Sequence, residues 1–214
     1  MTDQKNTGRT GCATSRRRFL ATGGALLGAG CWPASQAGAL GTSRKRLRIA
    51  AVFTDFYYRS HAHVILENFL ESYLFNGKLT DPGVDIVAFY SDQFGESNMA
   101  RQVAQQYKIP IFATIGDALC LGGKKIAVDG VLSIGEHGKY PRNNLGQKLY
   151  PRKRFFDEIV ATMKQSGRFV PVFNDKHLST SYQEAKAMVD QASQLGIPLM
   201  AGSSVPLAQR RPSI

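Results

Sequence analysis

Short apolar runs alternate with segments of helical spacing along most of this chain, and that alternation constrains the fold more than any other feature. The runs predicted to be strands are 47–53, 84–90, 111–114, 129–134, 170–173 and 199–201. The segments predicted to be helices are 62–75, 97–107, 116–121, 151–166 and 179–195. Strands that alternate with helices pair in parallel through right-handed crossovers. The pattern therefore predicts an α/β fold with a Rossmann-like, doubly wound parallel sheet in a single domain.

The first 39 residues have the features of an export signal. Residues 1–20 hold five basic residues against one acidic residue, and the motif S-R-R-R-F-L over 15–20 precedes a Gly/Ala-rich apolar stretch over 21–30. A charged start, a short apolar stretch and an A-x-A site, here Ala37-Gly38-Ala39, are typical of a secretory signal peptide. The S-R-R-x-F-L pattern resembles a twin-arginine signal. We expect a periplasmic or otherwise exported protein that meets the twin-arginine translocase and keeps no stable membrane insertion after signal removal.

The net charge of +11 could indicate a nucleic-acid-binding protein, but the charge lies mostly at the two ends of the chain. Beyond the signal, basic residues cluster in a linker over 40–46 and in a tail over 207–214. The body that remains, 47–206, is nearly neutral, so we predict that the Rossmann-like domain has no nucleic-acid partner. Its one cysteine, Cys120, lies in an apolar stretch and is predicted to be a buried thiol.

Polar side chains follow the predicted strands at the point where each strand ends. In an open parallel sheet, ligands bind outside the carboxyl ends of the strands. The residues found there include Thr54, Asp92, Glu136, Lys176 and the four histidines of the chain, His61, His63, His137 and His177. Because these ends meet at one edge of the sheet, the sequence predicts one polar site. Loops are also polar in general, which is the alternative explanation.

Two of these residues suggest particular roles. Asp92 follows the second predicted strand, where an acidic residue can accept hydrogen bonds from the ribose of a dinucleotide, although an aspartate there can also form a turn. Lys176 follows a buried strand and can donate or accept a proton or hold a substrate, although a surface lysine paired with a loop carboxylate is the alternative.

The histidines also leave a metal site open as a less favoured hypothesis. His61, His63, Glu136 and His137 are residue types that bind transition metals in hydrolases and lyases. Nothing in their spacing fixes the geometry that a metal requires, since H-x-H alone is weak. We therefore predict no metal, with a metal-dependent hydrolase or lyase as the less favoured alternative.

One stretch carries a resemblance to a known family. The sequence over 170–202, V-P-V-F-N-D-K-H-L-S-T-S-Y-Q-E-A-K-A-M-V-D-Q-A-S-Q-L-G-I-P-L-M-A-G, resembles the strand, E-K-P loop, capped helix and following strand of the Gfo/Idh/MocA oxidoreductases. Asp175-Lys176-His177 falls on the E-K-P positions, and Val128-Asp129-Gly130-Val131 is similar to the family's fourth strand. The resemblance covers about 47–203.

The resemblance implies an NAD(P)-dependent oxidoreductase-like domain with a sugar or polyol as its small-molecule substrate. It implies that Lys176 assists proton transfer beside nicotinamide, with His177 and His137 as further catalytic candidates. The residues that we predict to bind NAD or NADP are Thr54, Arg59, Asp92, Glu136 and Lys176.

The sequence departs from the family in two ways. The segment 53–61 contains no glycine where the family has G-x-G-x-x-G, although Arg59 could compensate for the crowding and for Asp55. A non-catalytic or repurposed Rossmann-like ligand-binding protein is therefore the alternative function. The length also leaves no room for the family's second domain, which contacts substrate, so we expect that domain to be absent. We expect an oligomer only if a second domain is present after all.

Overall fold

The computed structural model describes residues 45–203, and a parallel sheet lies at their centre. The strands are β1 (Leu47–Phe53), β2 (Tyr73–Phe75), β3 (Lys78–Thr80), β4 (Val84–Ser91), β5 (Ile111–Phe112), β6 (Gly130–Ile134), β7 (Val172–Asp175) and β8 (Leu199–Gly202). The helices are α1 (His61–Leu70), α2 (Ala100–Tyr107), α3 (Ile115–Cys120), α4 (Arg152–Ser166) and α5 (Tyr182–Gln194). Six strands form the sheet in the order β5-β4-β1-β6-β7-β8, and all of its pairs are parallel. The predicted Rossmann-like, doubly wound α/β fold is confirmed.

The sheet has two apolar faces because its central strands are buried on both sides. Ala50 and Val52 of β1 belong to the core beneath α3, α4 and α5, whereas Ala51 and Phe53 belong to the core beneath α1 and α2. Successive residues of a strand face opposite sides of a sheet, so a continuous apolar run supplies both cores. Cys120 is a buried free thiol in the first of these cores, as the sequence predicts.

One predicted element is wrong. The helix predicted over 62–75 ends at Leu70, and its last three residues form β2, which pairs antiparallel with β3. Asn76 and Gly77 join the two strands, both with positive φ, at 48° and 75°. An Asn-Gly pair favours the tight turn of a two-residue hairpin, because both residues tolerate this backbone conformation. The apolar spacing of the helix concealed a hairpin signal that is plain in the sequence.

The export signal over 1–39, most of the linker over 40–46 and the tail over 207–214 lie outside the described residues, so those boundaries stay predictions. The domain predicted over 47–206 is described as far as residue 203. No helix in that described part is both long enough and apolar enough to cross a membrane.

The strand order places three loops side by side. β1 pairs with β6, and β6 pairs with β7, all in parallel, so their carboxyl ends lie at one edge of the sheet. The order reverses between β1 and β6, because the chain first builds outward through β4 and β5 and then on the other side through β7 and β8. Such a reversal opens a crevice, where ligands bind in this class of fold.

The packing of α4 against the sheet makes a prediction about stability. Ile159 of α4 is fully buried in the core beneath α3, α4 and α5. We expect Ile159→Ala to lower the free energy of unfolding by about 2–5 kcal/mol, since the substitution leaves a cavity. Val189→Ala on the half-exposed side of α5 is the control and should change it by less than about 0.5 kcal/mol. Urea unfolding measures both values, and equal losses would contradict this assignment of the core.

Candidate functional site

A histidine on α1 and an aspartate at the end of β7 form the centre of the site. The hydroxyl of Ser60 caps α1 by accepting a hydrogen bond from the backbone N–H of His63, which fixes the first turn. His61 lies in that turn, and its Nδ1 is 2.6 Å from Oδ2 of Asp175, which is fully buried. Because a carboxylate only accepts hydrogen bonds, Nδ1 carries the proton and Nε2 is left as an acceptor. His61 Nε2 has no hydrogen-bond partner within 45–203.

A second histidine lies beside the first. The rings of His61 and His137 have their centroids 5.3 Å apart, and the Tyr57 hydroxyl is 2.8 Å from His137 Nδ1. Burial, together with the charge of Asp55, raises the pKa of Tyr57, so the phenol keeps its proton and donates it to Nδ1. Burial, followed by the proximity of the His61 ring, lowers the pKa of His137, which is therefore neutral at pH 7 with its proton on Nε2.

Three buried polar atoms of this region have no hydrogen-bond partner in the described residues. They are Asp175 Oδ1, His137 Nε2 and Arg152 Nε, one acceptor and two donors. Buried polar atoms in proteins are nearly always hydrogen-bonded, because an unpaired one has lost its water without replacement. They are grouped near the carboxyl ends of β6 and β7, where water or a bound molecule can supply the missing partners.

Arg152 is a buried cation that ties two loops together. Its guanidinium donates to the carboxylate of Glu136, in the loop after β6, and its Nη1 is 3.2 Å from Nε2 of His177, in the loop after β7. The side chain is only 2% exposed, and its charged end lies 5.0 Å from the centroid of the Tyr150 ring. Burial lowers the pKa of Arg152 and the charge of Glu136 opposes this, so the ion pair is what makes the burial tolerable.

Asp92 anchors the loop that follows β6. Its carboxylate accepts hydrogen bonds from the hydroxyls of Tyr90, at 2.7 Å, and Tyr140, at 2.6 Å, and from the guanidinium of Arg154. Burial raises the pKa of Asp92, but the hydrogen bonds from Tyr140, Arg154 and Tyr90 outweigh burial and hold the pKa below its ordinary value. Both oxygens are thus in use within the chain, and a ribose that bound to Asp92 would have to replace these donors.

The segment between β1 and α1 does not form a glycine cradle for a pyrophosphate. Oδ1 of Asp55 accepts from the backbone N–H of Phe56 and from Asn98, and the Phe56 ring is buried in the core. A cradle needs free backbone amides and little side-chain bulk at a helix N-terminus. Thr54 is fully buried, and its hydroxyl donates to the carbonyl of Glu136. The residues present therefore do not fit a dinucleotide held in the usual way.

The structure brings together most of the residues predicted from the sequence, but not all of them. Glu136, His137 and His177 lie in one connected network with Arg152 and Thr54. Asp92 belongs to the separate anchor just described, and the guanidinium of Arg59 is exposed and stacks on the ring of Tyr58.

Lys176 follows directly on Asp175, and its ammonium has no hydrogen-bond or ion-pair partner in residues 45–203. Lys176 and His137 both have a positive φ, at 68° and 71°. This conformation is uncommon for residues other than glycine, and it tends to occur at functional sites.

The two histidines of the H-x-H motif do not act together. His61 contacts Asp175, whereas the His63 ring packs against the rings of Phe56 and Tyr58. Within residues 45–203, no cluster of three or more histidine, cysteine or acidic side chains could hold a metal ion. The four residues suggested for a metal site are therefore not assembled into one.

Sequence reasoning missed three residues of the site. The sequence places Asp175 on the E-K-P positions without giving it a role, Arg152 falls within a predicted helix, and Tyr57 falls within the glycine-free segment 53–61. The signal for Asp175 was its place at the end of an apolar strand, where a buried carboxyl group must find a donor. No local signal marks Arg152, because its burial depends on the loop that contains Glu136.

Comparisons with known proteins give likenesses of fold. No family model matches the chain, and no curated protein matches its sequence. Among solved structures, GenD2 from gentamicin A biosynthesis, in complex with NAD, matches with 18% identity and a TM-score of 0.47 over 74% of this chain and 34% of that one. Myo-inositol 2-dehydrogenase from Lactobacillus plantarum matches with 15% identity and a TM-score of 0.47, over 74% of this chain and 36% of that one.

A third solved structure is biliverdin reductase from Synechocystis, in complex with biliverdin and NADP+. It matches with 17% identity and a TM-score of 0.47, over 75% of this chain and 39% of that one. The chain thus spans less than two fifths of the length of the three structures.

The close approach of Arg152 to Gly135 gives a prediction. A Cβ on Gly135 would lie 2.6 Å from Cγ of Arg152, which is too close for any real contact. We expect Gly135→Ala to displace the buried arginine and to lower the free energy of unfolding by about 1–3 kcal/mol. Gly116→Ala, whose Cβ would meet Thr162 at 3.4 Å, is the matched control and should be neutral to within about 0.5 kcal/mol. Chemical denaturation of both variants checks this, and a fully stable Gly135→Ala would show that the arginine is not held there.

The lowered pKa of His137 predicts how stability changes with pH. Its ordinary value is 6.5, and the folded protein resists protonation below that value, whereas the unfolded chain takes up the proton. The contribution of neutral His137 to the free energy of unfolding is therefore intact above pH 6.5. It is lost as the pH falls from 6.5 toward the lowered pKa of His137 in the folded protein. We expect His137→Asn, which tolerates a positive φ, to lose less stability than the wild type between about pH 8 and about pH 5. The measurement is urea unfolding of both proteins at a series of pH values. If the free energy of unfolding changed with pH equally in the wild type and in His137→Asn, the prediction would be refuted.

Proposed function

We propose that this chain is an oxidoreductase-like Rossmann domain that binds a sugar or polyol at the carboxyl ends of β1, β6 and β7. His61 accepts the proton of one substrate hydroxyl there. The observation that carries the proposal is the 2.6 Å contact between His61 and the fully buried Asp175. A carboxylate in this place selects the histidine tautomer and stabilises the imidazolium that forms when the base takes up a proton.

The unpaired atoms suit a hydroxyl group. A hydroxyl both donates and accepts hydrogen bonds, and the site offers an acceptor at His61 Nε2 and a donor at His137 Nε2 on rings with centroids 5.3 Å apart. Arg152 Nε and Asp175 Oδ1 can serve a second hydroxyl on the same molecule. Polyols carry hydroxyls on adjacent carbons, which supports this substrate class.

In this proposal each residue has a defined task. His61 holds the hydroxyl proton, Asp175 orients His61, and His137 donates a hydrogen bond to the same oxygen. Lys176, which the resemblance places beside substrate and which has no partner within 45–203, and His177, which contacts Arg152, stay proposed catalytic contributors. Oxidation of an alcohol also needs a hydride acceptor, and NAD or NADP supplies that chemistry in the proteins that the sequence resembles.

The test is the binding of myo-inositol, followed by the imidazole resonances of the full chain in ¹H–¹⁵N NMR. We expect saturable shifts of the His61 and His137 signals, and a loss of affinity of about tenfold or more in His61→Gln, since one hydrogen bond to the ligand is removed. His63→Gln is the matched control, on the same helix and two residues away, and should bind as the wild type does. Equal binding by His61→Gln, or no saturable shift with either myo-inositol or glucose, would overturn the proposal.

The second candidate is a ligand-binding domain that uses the same polyol site without a dinucleotide. The observation that favours it is the segment between β1 and α1, where Asp55 and Phe56 stand in place of a glycine cradle. A titration with NADH and NADPH followed by cofactor fluorescence separates the two candidates. Saturation at up to high micromolar concentration supports the oxidoreductase, whereas its absence together with myo-inositol binding supports the ligand-binding domain.

We also propose that the protein is exported by the twin-arginine translocase, on the strength of the S-R-R-x-F-L motif at 15–20. That route accepts folded proteins. The proposal places the polyol site outside the cytoplasm, in the periplasm or beyond it.

Export gives a direct prediction. Replacing both Arg16 and Arg17 by lysine should block export, because the signal is recognised through its arginine pair. The measurement is the fraction of a tagged full-length chain found in the periplasm of a host that has this translocase. The control is Lys5→Arg together with Arg9→Lys, which exchanges basic residues outside the motif without changing the net charge. This control should be exported as the wild type is. Undiminished export of the Arg16→Lys/Arg17→Lys variant would contradict the assignment of the route.

A further inference from the structure

A cavity lies between α1 and α2, and its lining does not include His61, His137, Arg152 or Asp175 of the polyol site. It has a volume of about 240 Å³, and its walls come from the two helices and from the segment that precedes α1. His63, the member of the H-x-H motif that the polyol site does not use, lines this cavity together with Phe56. The cavity is smaller than most drug-sized sites, so it suits a small molecule.

The charge around this cavity is negative, and no lysine or arginine lines it. Glu67 and Glu71 line it at the carboxyl-terminal end of α1, where the helix itself presents partial negative charge. The last turns of α1 and α2 contain no basic residue. Within residues 45–203, neither glutamate forms an ion pair with a lysine or arginine, and the nearest cationic candidate is His63, with Nδ1 3.7 Å from Glu67. Acidic groups at a helix C-terminus are unfavourable, so a cation that bound between them would relieve the repulsion.

The walls of the cavity are apolar and aromatic. Phe56 and Val103 are buried and form part of it, and Tyr107 lines it while its hydroxyl donates to Glu71. Nδ1 of His63 is buried without a hydrogen-bond partner, so this wall also lacks one polar contact. A hydrated metal ion finds no advantage in such walls, since hard cations need a shell of oxygen ligands. An organic cation uses both the carboxylates and the rings.

We propose that the cavity between α1 and α2 binds a small organic ammonium with an aromatic or branched apolar stem. The ammonium lies between the carboxylates of Glu67 and Glu71, and the stem packs on Phe56 and Val103. The site is independent of the polyol site, because His61 contacts Asp175 whereas His63, in the same helix turn, packs against Phe56.

The test uses the full-length chain, with benzylammonium as the probe and uncharged benzyl alcohol as its neutral counterpart. Backbone amide shifts in ¹H–¹⁵N NMR should saturate with benzylammonium and should be confined to α1, α2 and the segment before α1. We expect benzyl alcohol to bind about tenfold more weakly or worse, since it lacks the charge. The variant Glu67→Gln/Glu71→Gln should lose benzylammonium affinity by at least the same factor.

Two controls make the result specific. Asp190→Asn removes one exposed carboxylate from α5 and should leave benzylammonium affinity within about twofold of the wild type. His61→Gln should also leave it unchanged, which separates this site from the polyol site. Equal binding of benzylammonium and benzyl alcohol, full binding by the double glutamine variant, or no saturable shift would each overturn the proposal.

Discussion

The buried carboxylate of Asp175 is the constraint on which the rest of the site depends. A fully buried acid at the end of a parallel strand is tolerated only with a donor, and His61 reaches it from the first turn of α1 across the edge of the sheet. The contact needs α1 to begin at His61, and the cap at Ser60 and the turn before it place the start of the helix there. The same turn brings Tyr57 to His137, so the loop after β6 is positioned as a consequence.

The loop after β6 is held at several points that reinforce one another. Arg152 joins Glu136 to His177, and Asp92 joins Tyr140 and Arg154 to the end of β4. These contacts hold the loop at the edge of the sheet where the strand order reverses, which is the place that a Rossmann fold offers to a ligand. The site that we propose is polar, and its unpaired atoms are of the kinds that can bond to the hydroxyls of a polyol.

The sequence predicts the sheet well because buried parallel strands read as apolar runs wherever they occur. All six strands of the sheet were found, and the site expected at their carboxyl ends stays a prediction. The helix predicted through residue 75 failed because the apolar spacing outweighed the Asn76-Gly77 turn. Arg152 could not be found from local pattern, because its burial depends on Glu136 and His177, which lie far from each other in sequence.

The resemblance in sequence and the geometry of the site emphasise different residues. The resemblance centres on Lys176, whereas the contacts centre on His61 and Asp175, one residue away from that lysine in the chain. Asp175 ends β7 and Lys176 follows it, and His61 contacts Asp175 from α1, so the polyol site that we propose adjoins all three. In the proposed function, the proton acceptor lies on α1 and the cation follows β7.

The tautomer of His61 is the most direct measure of this account. Long-range ¹H–¹⁵N correlations of the imidazole at neutral pH distinguish a proton on Nδ1 from one on Nε2. The account predicts the proton on Nδ1, donated to Asp175, with Nε2 free to accept, and it predicts that Asp175→Asn abolishes this preference. A neutral ring with its proton on Nε2 in the wild type would contradict the assignment of His61 as the base.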